Sequence, residues 1–576
     1  MKKLLRYLNG YKKETVLAPL FKCIEAVLEL FVPLVVAEVI DNGIGKGDKS
    51  YVIMMCAVLV GLGAAGLAFS ITAQFFAAKA ATGFSKTVGN ALFRHIQTMS
   101  YTDIDTLGTS TLITRMTSDL NQVQTGVNMT LRLLLRSPFI VFGAMIMAFT
   151  IDTHSALIFA GAIPVLTIAV FGVMLAGMPL YGKVRAGLDK LLGRTRENLS
   201  GARVIRAFCI EDSETEKFRA ENELLTKQQL IAGRISALMN PLTFALINLA
   251  IIALIWTGAV RVDAGLLTQG QVVALYNYMS QILVELIKLA GLIITITKAA
   301  ACGKRIQSVF DSGEGMTEGA EKSGFAGYKH AVEFRSVSLK YKNAGDSSLE
   351  NISFTAGKGS VIGIIGGTGS GKSSLVNLIP RFYDPTDGDI YIDGINAKDY
   401  SLDALRKRIG VVPQKAVLFK GTIRENMRWR DENASDEAIY RALDIAQARD
   451  VIDKKANGLD SKVEQGGSNF SGGQRQRLTI ARALVGEPEI LILDDSASAL
   501  DLATDAALRK ALRSLTGTTV FIVSQRTSSI MHADKIVVLD DGQAVGIGTH
   551  AELLESCPVY KEIYDSQFRR EGGASA

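Results

Sequence analysis

GGTGSGKSS, at Gly366–Ser374, follows an apolar, strand-like run (Val361, Ile362, Ile364, Ile365) and precedes a helix-like one (Leu375, Val376, Leu378, Ile379). The spacing of Gly366, Gly371, Lys372 and Ser373 fits GxxxxGK followed by Ser or Thr, and strand, loop and helix stand in the order a phosphate-binding loop needs. Gly366, Gly369 and Gly371 let backbone N–H groups turn inward around phosphate oxygens, with Thr368, Ser370 and Ser374 in the same cradle. The following helix adds its positive end, Lys372 reaches the terminal phosphates and Ser373 offers a hydroxyl to magnesium. A chance glycine-rich turn would not bring strand, loop, lysine, hydroxyl and helix into register.

Working outward, 576 residues are too many for one core and imply two or more domains. Only 21% of residues are charged against 48% apolar, so part of the chain is expected in lipid. A net charge of +6 gives no argument for nucleic acid, since an excess of cytoplasmic Lys and Arg explains it equally well. The five cysteines (Cys23, Cys56, Cys209, Cys302, Cys557) are widely spaced and lack a CxxC pair, which indicates neither a disulfide framework nor a zinc site. The basic start, MKKLLRYLNGYKK, runs on without a small-residue cleavage site and reads as a retained cytoplasmic elbow.

Six membrane-helix candidates precede the loop. The first, Thr15–Ile40, carries Lys22, Glu25, Glu29 and Glu38, which must face protein or a wet cavity. The second, Val52–Ala81, holds only Lys79, and the fifth, Ile235–Val260, has no charge. Ser137–Ile151 and Ser155–Gly182 are separated by Asp152, Thr153 and His154 and read as a helical hairpin, with Arg132 and Arg136 able to snorkel at its base. The sixth, Leu267–Thr297, places Glu285 and Lys288 on one face, either as a mutually neutralising pair or as cavity-lining ions. The N-terminal segment and residues 83–136 and 183–234 together hold 21 Lys and Arg, while the intervening short loops hold only Lys46, Lys49 and Arg261. Both termini and both long polar excursions are therefore expected in the cytoplasm, with the second to fifth helices running on beyond the bilayer. The division that results is a membrane domain at 1–310, a linker rich in Gly, Glu and Ser at 311–328, and a phosphate-binding domain at 329–576.

In the second half VEFRSVSLKY alternates like a strand and ends at Tyr341, which could stack on adenine or simply pack. VVPQ ends at Gln414, ILILDD at Asp494 and Asp495, and FIVSQ at Gln525. In a parallel sheet those strand ends converge on the nucleotide crevice, with Asp494 as the magnesium-side acid.

NFSGGQRQR at Asn469–Arg477 is where the chain resembles the ATP-binding cassette (ABC) transporters, whose signature is usually written LSGGQ, here Phe470, Ser471, Gly472, Gly473 and Gln474. The resemblance covers the whole chain. LITRMTSDLNQV (112–123) and ENLSGARVIRAFCIEDSETEKF (197–218) look like the two cytoplasmic loops, with coupling helices, of six-helix exporter half-transporters. Tyr341, the phosphate loop, Gln414, Glu464, Asp494 and SALD at 498–501 match the later motifs in order. The implied fold is an all-α six-helix transmembrane domain with long cytoplasmic extensions, followed by an α/β P-loop NTPase cassette. The implied cofactors are ATP and Mg2+, with Ser373, Gln414 and Asp494 on the metal side and Asp495, Gln525 and Gln414 as the catalytic positions. The resemblance also implies a dimer in which each ATP lies between one phosphate loop and the other subunit's Ser471, Gly472, Gly473 and Gln474. The setting it implies is a bacterial inner membrane, and the cargo a hydrophobic or amphipathic small molecule, drug-like, with a lipid or lipid-linked precursor as the alternative.

Two positions depart from the family's pattern. Where the family usually has glutamate the chain has Asp495, one methylene shorter, and where it has its switch histidine the chain has Gln525, which cannot become cationic. With the phosphate loop and signature intact, this resembles the degenerate-site subunit of a heterodimeric exporter. A homodimer with two slow sites is the other reading.

Overall fold

The computed structural model describes residues 2–313, 316–321, 327–342 and 344–568. Part of the linker expected at 311–328 therefore lies outside the described residues. The chain forms two compact units, Met1–Gln97 with Ser110–Ser312, and Thr98–Thr109 with Gly313–Ala576.

The first unit is helical. Among the described residues, five helical stretches are long and apolar enough to cross a membrane: Lys49–Thr98, Thr109–Ile151, Thr153–Ser200, Glu211–Asp263 and Gln269–Asp311. At 43 to 53 residues they exceed the roughly 20 that a bilayer requires, so the extensions expected from the polar excursions are formed as helix. Five of the six expected spans, the second to the sixth, are thereby found among the described residues. A helix also forms at the first candidate, Lys12–Glu38, where Lys22, Glu25 and Glu29 leave it more charged than the other five. Local chemistry sets the breaks. Asp152, extended at φ −158°, accepts from the Ser155 amide to cap Thr153–Ser200, closing the expected hairpin turn. Thr268 and Gln271 form a reciprocal capping box on Gln269–Asp311.

Snorkelling is likewise corrected at Arg136. Its side chain is buried, donating to Glu285 and Glu29 rather than reaching an interface.

The second unit carries a six-stranded sheet in the order Gln543–Gly548, Lys535–Asp540, Val361–Gly366, Thr519–Val523, Ile490–Asp494, Ile409–Val412. All neighbours are parallel except the first pair. Both faces are covered, which is why Ile490–Asp494 is buried at every residue and reads as an unbroken apolar run. Val523 pairs with Ile364 on one side and Asp494 on the other, so three strands end at one level. A second, antiparallel sheet runs Leu349–Gly357, His330–Leu339, Asp387–Ile392, Ile395–Asn396. Phe334 and Phe354 stack across its first pair at 4.6 Å. The short helix Tyr101–Leu107 belongs to this unit although the sequence places it between two of the long apolar helices.

Candidate nucleotide site

The loop that leaves Val361–Gly366 and enters the helix Lys372–Leu378 makes a turn only glycine permits. Gly371 has φ +92°, and a Cβ there would meet the Ser348 carbonyl oxygen at 2.5 Å. The turn aims the first amides of the helix at a cavity of about 260 Å³ lined by Thr368, Gly369, Gly371, Lys372, Ser373 and Ser374. From the neighbouring strand ends come Gln414, Asp494, Asp495 and Gln525. The arrangement follows from the topology, because ends of adjacent parallel strands form one crevice.

Lys372 Nζ folds back on the loop, donating to the Gly367 oxygen at 2.5 Å and the Gly366 oxygen at 3.0 Å. Burial pulls its ammonium below the usual lysine range, against the raising effect of Asp495 and Asp494. Ser373 Oγ donates to Asp494 Oδ1 at 3.0 Å. Burial pushes the Asp494 carboxyl up, and the neighbouring Asp495 charge adds to the effect against the Ser373 hydrogen bond and Lys372. Burial also raises Asp495, opposed by a hydrogen bond from Gln414 and by the charges of Lys372 and Arg526. Asp495 sits at φ +45°, a left-handed conformation that aspartate tolerates better than most side chains.

Ser373 and Asp494 present hard oxygen donors side by side, and Gln414 adds an amide oxygen, a donor set that suits Mg2+ shared with phosphates. Among the described residues no three His, Cys, Asp or Glu side chains cluster as an all-protein metal cage.

Tyr341 lies beyond His330–Leu339, where its hydroxyl donates to Ser374 Oγ at 3.0 Å and its ring stands edge-on to Tyr383 at 5.0 Å. It touches the phosphate-loop helix without lining the cavity. Ser370 is buried, its Oγ accepting from Lys372 Nζ at 3.4 Å, and neither it nor Gly366 lines the cavity. Ser471, Gly472, Gly473 and Gln474 do not line the cavity. They start the helix Gly472–Leu484, Ser471 capping it with Gln474 in a reciprocal box that takes up the Ser471 and Gln474 amides. Sequence reasoning missed Ser348 and Ser524, which also line the cavity. Ser524 stands next to Gln525 and could have been found from that adjacency, whereas Ser348 arrives from the other sheet with no sequence signal.

The family models for the ABC transporter transmembrane region and for the ABC transporter match residues 15–286 and 349–498 respectively. The uncharacterized ABC transporter ATP-binding protein YfiB of Bacillus subtilis (strain 168) is 38% identical over 576 residues, covering all of both chains. The ATP-dependent lipid A-core flippase of Syntrophus aciditrophicus (strain SB) is 33% identical over 486 residues, 84% of this chain and 80% of that one. In fold, the chain resembles a bacterial Atm1-family ABC exporter solved with ATP bound, with a TM-score of 0.78 and 22% identity over 98% of this chain and 99% of that one. With a transmembrane region joined to a cassette built around this crevice, the chain belongs to the ABC transporter family and has the fold of an ABC exporter.

Proposed function

We propose that this chain is one half of a heterodimeric ABC exporter, and that its own ATP site holds nucleotide while hydrolysing it poorly. The observation that carries the reading is that Asp495 and Gln525 line the same cavity as an intact phosphate loop. Both altered groups thus fall on one ATP. An aspartate there stands one methylene back from the water it must orient, and a displacement on the order of 1 Å can cost about 100-fold in rate. Glutamine can still donate to a γ-phosphate but cannot neutralise charge developing on it.

Within that reading Lys372 and the loop amides bind the phosphates, Tyr341 supports the adenine, and Ser373, Gln414 and Asp494 hold Mg2+. The metal neutralises phosphate charge when bound. Ser471, Gly472, Gly473 and Gln474 point their helix start at the partner's ATP, completing a site that turns over. The termini and cassette lie in the cytoplasm of a bacterial inner membrane, supported by the Lys and Arg distribution.

The cargo is a hydrophobic or amphipathic small molecule of multidrug type. A lipid or lipid-linked precursor is the second reading, favoured by the relatives named as lipid A-core flippases. Steady-state ATPase in lipid, for this chain alone and with its candidate partner, tests the asymmetry. Activity that needs the partner, and that ends when the partner's catalytic glutamate is changed, supports it; robust activity of this chain alone replaces it with a homodimer.

A further inference from the structure

Three helices of the membrane unit, Lys12–Glu38, Arg136–Ile151 and Gln269–Asp311, are joined by a cluster of ions. Arg136, its side chain only 7% exposed, donates through Nη1 to Glu285 at 2.5 Å and through Nη2 to Glu29 at 2.6 Å. Glu285 also accepts from Ser137 Oγ at 2.7 Å and Lys288 Nζ at 2.8 Å. Glu25, 3.9 Å from Arg136, takes Lys22 at 2.5 Å. Three carboxylates and three cations make the cluster neutral as a whole.

Its depth follows from helix geometry. From Arg136 to Ile151, from Glu29 to Ile44 and from Gln269 to Glu285 the rise is in each case about 22 to 24 Å at 1.5 Å per residue. Measured from those three helix ends, a hydrocarbon layer of about 30 Å reaches past the cluster.

Most members are covered, but Glu29 is 39% exposed and Lys288 43%. Each keeps unused capacity: among the described residues Glu29 is held through Oε2 alone and Lys288 through one of its three donors. Ions half-exposed there would be costly against lipid and call for water or protein beside them. Val284, one turn before Lys288, and Phe139, one turn after Arg136, leave apolar surface open beside them.

We propose that Glu29 and Lys288 form the headgroup end of the cargo site, and that the cargo is an amphiphile with a zwitterionic headgroup, its cation on Glu29 and its anion on Lys288. This rests on the export reading and narrows its substrate class. A zwitterion answers both open groups and leaves the cluster neutral; a headgroup with one net charge would leave an uncompensated ion in a poorly solvated place.

The test is equilibrium binding of three radiolabelled twelve-carbon probes, dodecylphosphocholine, dodecyltrimethylammonium and dodecyl phosphate, to the assembled transporter in phosphatidylglycerol nanodiscs. The phosphocholine is expected to bind at least about tenfold more tightly than the other two, and Glu29→Gln or Lys288→Gln to weaken it by about tenfold each. Lys288→Arg is expected to restore binding, which separates charge recognition from folding. Equal binding of the three probes, or phosphocholine binding indifferent to both glutamine variants, overturns the proposal. ATPase of the same preparation reads the export hypothesis separately: binding as expected without partner-dependent ATPase removes that hypothesis and leaves the headgroup site standing.

Discussion

The Tyr383 hydroxyl donates to the Asp105 carboxylate at 2.6 Å, joining the end of the phosphate-loop helix region to the short helix Tyr101–Leu107. Burial, then Asp105, hold the Tyr383 hydroxyl far above its usual range, so it stays a donor. Tyr383 also packs against Tyr341, and Tyr101 packs against Phe382 at 4.7 Å. Tyr341 and the short helix therefore share one aromatic cluster. Tyr383→Phe keeps the ring and removes the hydrogen bond, a loss of about 1 kcal/mol. Hydrogen exchange of the 101–107 amides should rise by about fivefold while ATP affinity changes by less than about twofold. Unchanged exchange would show that packing alone holds the helix.

If reach and charge are what the site lacks, restoring both should restore turnover. Asp495→Glu with Gln525→His is expected to raise single-turnover hydrolysis at this site by on the order of 10- to 100-fold, measured in an assembly whose partner site has been silenced. The longer side chain accepts the left-handed backbone at 495 at a modest cost. No gain would place the block elsewhere in the crevice.

The parts of this site carried by contiguous motifs were legible in the sequence, because a loop between a strand and a helix has one local solution and parallel strand ends must meet. Gln414, Asp494 and Gln525 accordingly share the cavity with Lys372. What depends on distant partners was not legible. Arg136 reads as an interfacial arginine until its carboxylates appear, 107 and 149 residues away. The Tyr383 to Asp105 bond spans 278 residues and an intervening membrane domain. In the first helix the charges are plain in the sequence as groups that must face protein or water, but that Lys22 and Arg136 are what Glu25 meets is not.

Asp494 gives a pH signature with a definite sign. Its carboxyl titrates above the usual 3.8 in the folded protein, so the folded state takes up a proton more readily than the unfolded chain. Stability of the nucleotide-free protein therefore falls as pH rises from about 3.8 through the raised value, and stays lowered at neutral pH. Asp494→Asn keeps an oxygen for the Ser373 hydroxyl and removes the charge beside Asp495. The variant is expected to melt higher than the parent at pH 7 without nucleotide, with the difference vanishing in acid, and to lose the stabilisation that Mg2+ and ATP give the parent. Thermal melts across pH, with and without Mg2+ and ATP, check both halves.

Lys372 separates nucleotide retention from turnover. Its ammonium rests on the Gly366 and Gly367 carbonyl oxygens, poised over the turn that faces the cavity. Lys372→Ala removes a charged donor to phosphate, worth roughly 10- to 100-fold in ATP affinity. In a heterodimer whose hydrolysis runs at the partner-completed site, that loss should appear as weak photolabelling of this chain by 8-azido-ATP. Turnover of the pair should nevertheless persist, because the signature at Ser471–Gln474 is untouched and still closes the other ATP. The equivalent lysine change in the partner should abolish turnover. If Lys372→Ala alone abolishes it, the essential hydrolysis runs here, and Asp495 is an adequate base despite its shorter reach.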